Sequence, residues 1–340
     1  MSAATLERET APAQRKTGRE LLHGMPWLVW RQHRGAVWAG LALLVALAAA
    51  AVYLRHGTTT FVQQHDIAGC TLFSGPERCA ENQEAIQLYR TQYQDLVQIL
   101  LVVVLALPYL AGLFVGAPLV ARELEAGTHR VAWSQSVPPQ RWLLHKLLLP
   151  LAGLVLLCGL AAWLASWVLA GAGQATLGIY WYSALAFAPT GPALVGYAAL
   201  GIALGGAAGL LIRRTVPAMV ATLLALGGVT LLLQFLRPQL ASPITHVSKA
   251  VPQLAEDSWV LSAAQRSTAG GETFPANLCA DARGDALRNC LAEHGATYYH
   301  TEYHPLSQMR QIQFTEGALC LGLAALLVAL TWWWLRRRAL

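Results

Sequence analysis

The chain has 340 residues, 55% of them hydrophobic and only 12% charged, with a mean hydropathy of +0.43. Soluble domains carry about 25% charged residues, so this composition excludes an ordinary soluble enzyme and a disordered chain. The net charge of +6 is spread through apolar sequence and does not point to nucleic acid; the informative quantity is the side of a membrane on which Lys and Arg gather.

In chain order, residues 1–17 are polar and read as a disordered tail. Residues 18–34, GRELLHGMPWLVWRQHR, mix Leu and Trp with Arg and His. Two structures fit them: a helix lying in the inner membrane interface, or a continuation of the first span with a Trp anchor. Six apolar blocks follow, each about the 20 residues a helix needs to cross roughly 30 Å of hydrocarbon. They run over 35–54, 96–121, 147–170, 192–212, 216–236 and 314–335. The first is preceded by a long segment holding six Arg or Lys, so it reads as a signal anchor and not a cleaved signal peptide. None alternates with the period of two of a membrane barrel strand, and helices satisfy their own backbone in lipid. The expected fold is therefore an all-α polytopic membrane protein with a six-span domain over 35–335 and a basic tail at 336–340. Segment 171–190 is apolar but broken by Gly and Pro; it fits an interfacial or a re-entrant helix, and periodicity does not decide.

Of the 24 Lys and Arg residues, 15 fall in the short segments that share a side with the N-terminus, and 9 in the longer segments opposite. The positive-inside rule places both termini in the cytoplasm and the loops 55–95 and 237–313 outside. The cysteines agree independently. Cys158 and Cys320 lie within spans, whereas Cys70, Cys79, Cys279 and Cys290 all fall in outer loops. Disulfides persist in oxidising compartments. Four cysteines allow three pairings; Cys70–Cys79 and Cys279–Cys290 close the shortest loops and are favoured, with free thiols or a metal site as the alternative. The last loop holds Trp259, Phe274, Tyr298 and Tyr299 and suits a small cap, too short for a catalytic domain with its own core.

The chain contains no GxxxxGK[ST], no HExxH and no GxSxG, so it has no phosphate-cradling loop of its own. His294, His300, His304 and Glu302 are the most metal-like group, and His300 and His304 would share one face of a helix. Gly295, Thr297 and Pro305 argue instead for irregular chain and solvated histidines, so no metal is expected. Span centres are nearly free of charge, which counts against a proton-coupled transporter or a channel and suits a carrier of apolar cargo powered from elsewhere. Asp95 and Glu316 stand at the starts of the second and sixth spans, and Glu316 reads as a simple interfacial carboxylate. Gly201, Gly205 and Gly209 recur every four residues, a stripe that lets another helix approach closely. Packing among the six spans is favoured over a seam between two copies.

The charged inner loop 122–146 is the most informative segment. Arg122, Glu123 and Glu125 extend the second span, Gly127 can stop that helix, and Thr128 can cap a short second one that Pro138 and Pro139 would end. The run Arg122-Glu123-x-Glu125-x-Gly127-Thr128, followed by Arg141-Trp142 and Lys146, resembles the first cytoplasmic loop of type-2 ABC exporter permeases. Trp30-Arg31-Gln32-His33-Arg34, Arg213-Arg214-Thr215-Val216-Pro217-Ala218-Met219 and Gln313-Phe314-x-x-Glu316 look like an actinobacterial branch of that family, and the 21 Arg against 3 Lys suit a high-GC genome.

That resemblance implies a multi-pass permease subunit of the cell membrane, surrounded by lipid and without nucleic acid. It would pair with a second copy and dock on a separate ABC ATP-binding subunit. The chain itself would hold no cofactor; ATP and Mg²⁺ would belong to the partner. Arg122, Glu123, Glu125, Gly127 and Thr128 would couple ATP hydrolysis to outward movement of a hydrophobic or amphipathic small molecule such as a drug, antibiotic or lipid. The alternatives are a membrane-embedded enzyme or an accessory protein acting on a lipid-linked substrate.

Overall fold

The computed structural model describes residues 25–71, 77–127, 139–250, 254–275, 277–279 and 282–338. The polar tail, Thr128 and the short inner helix expected before Pro138 lie outside the described residues. Among those described, six helices are long and apolar enough to cross a membrane.

Helix α1 runs unbroken over Met25–Gln64. Its 40 residues span about 60 Å, roughly twice the hydrocarbon thickness. Residues 25–34 thus continue the first span and do not turn to lie in the interface, because no residue after Pro26 interrupts the helical hydrogen bonds. At its other end α1 takes in ten residues expected as outer loop. A short α2 (Glu77–Glu81) leads to α3 (Gln83–Ala111), a π-helical segment (Gly112–Gly116) and α4 (Ala117–Glu125), which together form the second span. Pro108 lacks an amide donor inside α3, and a π turn directly after it absorbs the register change.

The third span, α5, covers Pro139–Ala172. Pro139 opens this helix, as the first position of a helix needs no amide donor. Residues 173–192 form neither a re-entrant nor a continuous interfacial helix. They hold two single-turn helices, α6 (Gln174–Leu177) and α7 (Ala184–Phe187), with left-handed backbone at Gly173 and Gly178. The fourth and fifth spans are α8 (Ala193–Ile212) and α9 (Thr215–Leu236), joined by a two-residue turn in which Arg213 is left-handed at φ 58°. A 3₁₀ turn (Arg237–Gln239) ends α9.

The following loop builds strand β1 (Ile244–Ser248), strand β2 (Trp259–Ser267), helix α10 (Asp285–Glu293) and strand β3 (Tyr298–His304). They form an antiparallel sheet in the order β1-β3-β2, with His246 opposite Thr301 and Val260 opposite Tyr303. His300 and His304 therefore lie on a strand, where the irregular chain was expected. The run YYHTEYH is rich in the aromatic residues that strands favour. Helix α11, Met309–Arg338, is the sixth span and continues into the basic tail.

Helix α8 is the centre of the bundle: 72% of its apolar stretch is buried, against 17–44% for the other five spans. It packs on α3, α4, α5, α9 and α11. Its Gly and Ala residues make this possible, since a helix of small side chains lets several neighbours approach at once. One core lies among α1, α3 and α5 around Leu101, Ala165 and Leu169; a second lies among α8, α9 and α11 around Tyr197, Leu200 and Leu226.

Candidate functional site

Among the described residues, most long-range polar contacts lie at the two ends of the bundle. At the end where α4 gives way to α5, Gly127 takes φ 71° and its amide donates to Leu124 O at 3.4 Å. The glycine closes α4 in the left-handed conformation that a side chain resists. Arg122 is exposed. Glu123 pairs with Lys146 of α5, whose side chain is nearly buried. Glu125 accepts from the Thr215 amide at 2.9 Å and from Thr215 Oγ1 at 2.6 Å, so it caps the start of α9. The acidic residues expected to face a partner are thus bound within the chain, one to the third span and one to the fifth. Lys146 was part of the sequence motif. Thr215 was not in the coupling set, because a contact across a sequence separation of 90 leaves no local signal.

The stripe Gly201, Gly205 and Gly209 meets the second span and not a second copy. A Cβ at Gly201 would stand 2.9 Å from Pro108 O, one at Gly205 2.5 Å from Ala117 N, and one at Gly209 2.9 Å from Ala117 O and Ala121 N. Gly112 and Gly116 return the contact, with Cβ positions 3.1 Å from Gly201 O and from Ile202 Cα. Glycines on both helices bring the two backbones together, and a Tyr109–Thr230 hydrogen bond of 2.8 Å ties the second span to the fifth.

At the other end, Glu316 differs from the simple interfacial carboxylate expected. It is 0% exposed. Arg237 binds it through both carboxylate oxygens, Nε to Oε2 at 2.9 Å and Nη2 to Oε1 at 3.1 Å. The Tyr197 hydroxyl donates to Oε1, and the Phe187 ring lies 3.7 Å beneath the guanidinium. The carboxylate is buried because the cation immediately past the fifth span folds onto it; Arg237 had been counted only as a loop charge. Nearby, Gln313 Nε2 donates to Phe187 O at 2.7 Å.

Both disulfides, Cys70–Cys79 and Cys279–Cys290, form at this end, with Cα separations of 5.4 and 6.1 Å. His294 stands beside the second, but its cysteines bond each other. His304 is buried and bonded to Gln308 Oε1 at 2.6 Å and to Pro238 O at 3.0 Å, so it anchors the sheet to the membrane helices. Trp181 adds a second anchor by donating to Asp257 O at 2.7 Å. Tyr182 stacks on Trp259 at 5.7 Å; burial, then the neighbouring Tyr180, raises its pKa above the ordinary phenol value. His300 and Glu302 share a strand face 3.8 Å apart. No group of described residues joins His294, His300, His304 and Glu302.

A six-span bundle packed on one glycine-rich helix, with its charged contacts at the two ends, defines a multi-pass membrane protein. A model of the family described as ABC-2 membrane transporter related matches residues 41–237, more than half the chain, and the chain belongs to that family. It is accordingly a transporter permease, a transport subunit and not an enzyme. The matched stretch holds the α4 contacts and the glycine seam; the sheet and α11 lie beyond it. No curated protein and no solved structure matched the chain.

Proposed function

We propose that this permease is the membrane half of an ATP-driven exporter that moves a hydrophobic or amphipathic small molecule outward. The observation that carries the proposal is the end of α4: a charged helix terminus, stopped by Gly127 and followed by the inner loop, inside the segment matched by the transporter family. The Lys and Arg bias supports an orientation with both termini in the cytoplasm of a cell-membrane protein and the disulfide-bearing end outside. In that orientation the inner loop faces a separate ATP-binding subunit, which supplies ATP and Mg²⁺. Two permease copies would enclose the cargo path. The nearly charge-free spans favour apolar cargo.

The test is co-expression of the tagged chain with a P-loop ATPase encoded beside it. The pair should co-purify, and ATP turnover should rise when the permease is present in vesicles. Arg122→Ala should weaken both, while Glu81→Ala at the opposite end should change neither. A wild-type chain that neither retains nor stimulates the ATPase would overturn the proposal.

A further inference from the structure

Glu123 and Glu125, two positions apart on α4, hold two different helices. The Glu125 contact is the more consequential. The start of any helix leaves amide groups without intrahelical partners and carries partial positive charge. In α9 the residue at the cap position, Arg214, makes no capping hydrogen bond with its side chain. The cap comes instead from another span: the Glu125 carboxylate takes the Thr215 amide and hydroxyl together. A hydrogen bond to an ionised carboxylate is stronger than a neutral one.

The same helix, α4, also presses on the other arm of this hairpin. Cβ atoms at Gly205 and Gly209 would fall 2.5–2.9 Å from its Ala117 and Ala121 backbone. Between Gly209 and Thr215 lie only the last turn of α8 and the turn Arg213-Arg214. Helix α4 thus grips the α8–α9 hairpin from both sides of its turn, by backbone contact on α8 and by the Glu125 clasp on α9.

We infer that Thr215 is the receiving end of the inner loop, a positioning residue through which displacement of α4 is passed to the fifth span. This rests on the transporter reading above. Helix α4 and the α8–α9 hairpin then move as one body when the ATP-binding subunit pulls the loop. The hydroxyl is what makes the grip two-pronged. Serine preserves it, and valine, with nearly the same shape, leaves only the amide.

The test uses the full chain docked with its ATP-binding subunit, in vesicles of phosphatidylethanolamine and phosphatidylglycerol. Spin labels at Ala126→Cys and Val220→Cys report on α4 against α9; labels at Val37→Cys and Val220→Cys report on α1 against α9. On adding ATP and Mg²⁺ to the otherwise wild-type complex, the first distance should hold and the second should shift. In Thr215→Val the ATPase should still co-purify, but the α1–α9 shift should vanish, the α4–α9 distance should change instead, and stimulated hydrolysis should fall several-fold. Thr215→Ser should behave as wild type.

A Thr215→Val complex that keeps the α1–α9 shift overturns the inference, as does one that loses the ATPase altogether or a Thr215→Ser complex that fails like valine. If Thr215→Val does not fold, Glu125→Gln weakens the same contact from the other side and must lose the same shift; an unchanged shift there also overturns it. A wild-type chain that never docks the ATPase fails earlier and removes the transporter reading itself.

Discussion

Arg237 and Glu316 connect two helices, α9 and α11, that each pack on α8 but have little direct contact with one another. The pair is nearly inaccessible, so its worth depends on completeness. Breaking a buried ion pair on one side strands a charge and costs about 3–5 kcal/mol, whereas replacing both partners by apolar residues is often neutral. Glu316→Leu should therefore lower thermal stability in detergent markedly, since Arg237 and the Tyr197 hydroxyl both lose their acceptor. The double variant Glu316→Leu with Arg237→Met should recover most of that loss. A single variant as stable as wild type would mean that water reaches the guanidinium.

At the scale of elements, the contact between α8 and the second span depends on the absence of side chains on both surfaces. Gly205→Ala puts a methyl where the Gly116 and Ala117 backbones stand 2.5–2.8 Å away. Backbone cannot rotate aside as a side chain does, so overpacking of about 1–3 kcal/mol is expected. Gly205→Leu should be worse. Gly228 in α9 has nothing within 4 Å of its Cβ position, and Gly228→Ala should be neutral or slightly stabilising, because Ala is the better helix former by about 1 kcal/mol. Melting temperatures of the purified variants check the contrast; equal effects at Gly205 and Gly228 would show that the seam is looser than its geometry.

For the whole molecule, the sheet, both disulfides and the Arg237–Glu316 pair lie at one end, and Gly127, Lys146 and Thr215 at the other. The proposed orientation makes a direct prediction. In intact cells a membrane-impermeant thiol reagent should reach Gly270→Cys, beside the sheet, and not Ala126→Cys until the membrane is opened. Labelling of Ala126→Cys alone would invert the topology. Peptide mass spectrometry without reductant should recover Cys70 joined to Cys79 and Cys279 joined to Cys290.

The six spans were legible from sequence because lipid imposes a length and an apolar composition that local sequence must meet. The glycine stripe was legible for a related reason: a repeat of four residues marks one helix face. The end of α4 at Gly127 was legible because a left-handed residue is a local requirement. What lay beyond local sequence were pairings between distant segments. Whether the glycines face a second copy or the second span depends on where α4 passes. Whether Glu316 meets headgroups or Arg237 depends on the fold of the turn after α9, and a carboxylate that looks solvated in sequence is buried once its cation arrives. The strands hide the same way, since β1, β2 and β3 are short and gain stability only by pairing across up to 59 residues of chain, as Ile244 with Tyr303. Sequence alone determined the membrane class and the motif-bearing loop; tertiary structure alone decided that the loop's carboxylates bind Lys146 and Thr215, because hydrogen bonds between helices are set by packing and leave no local pattern.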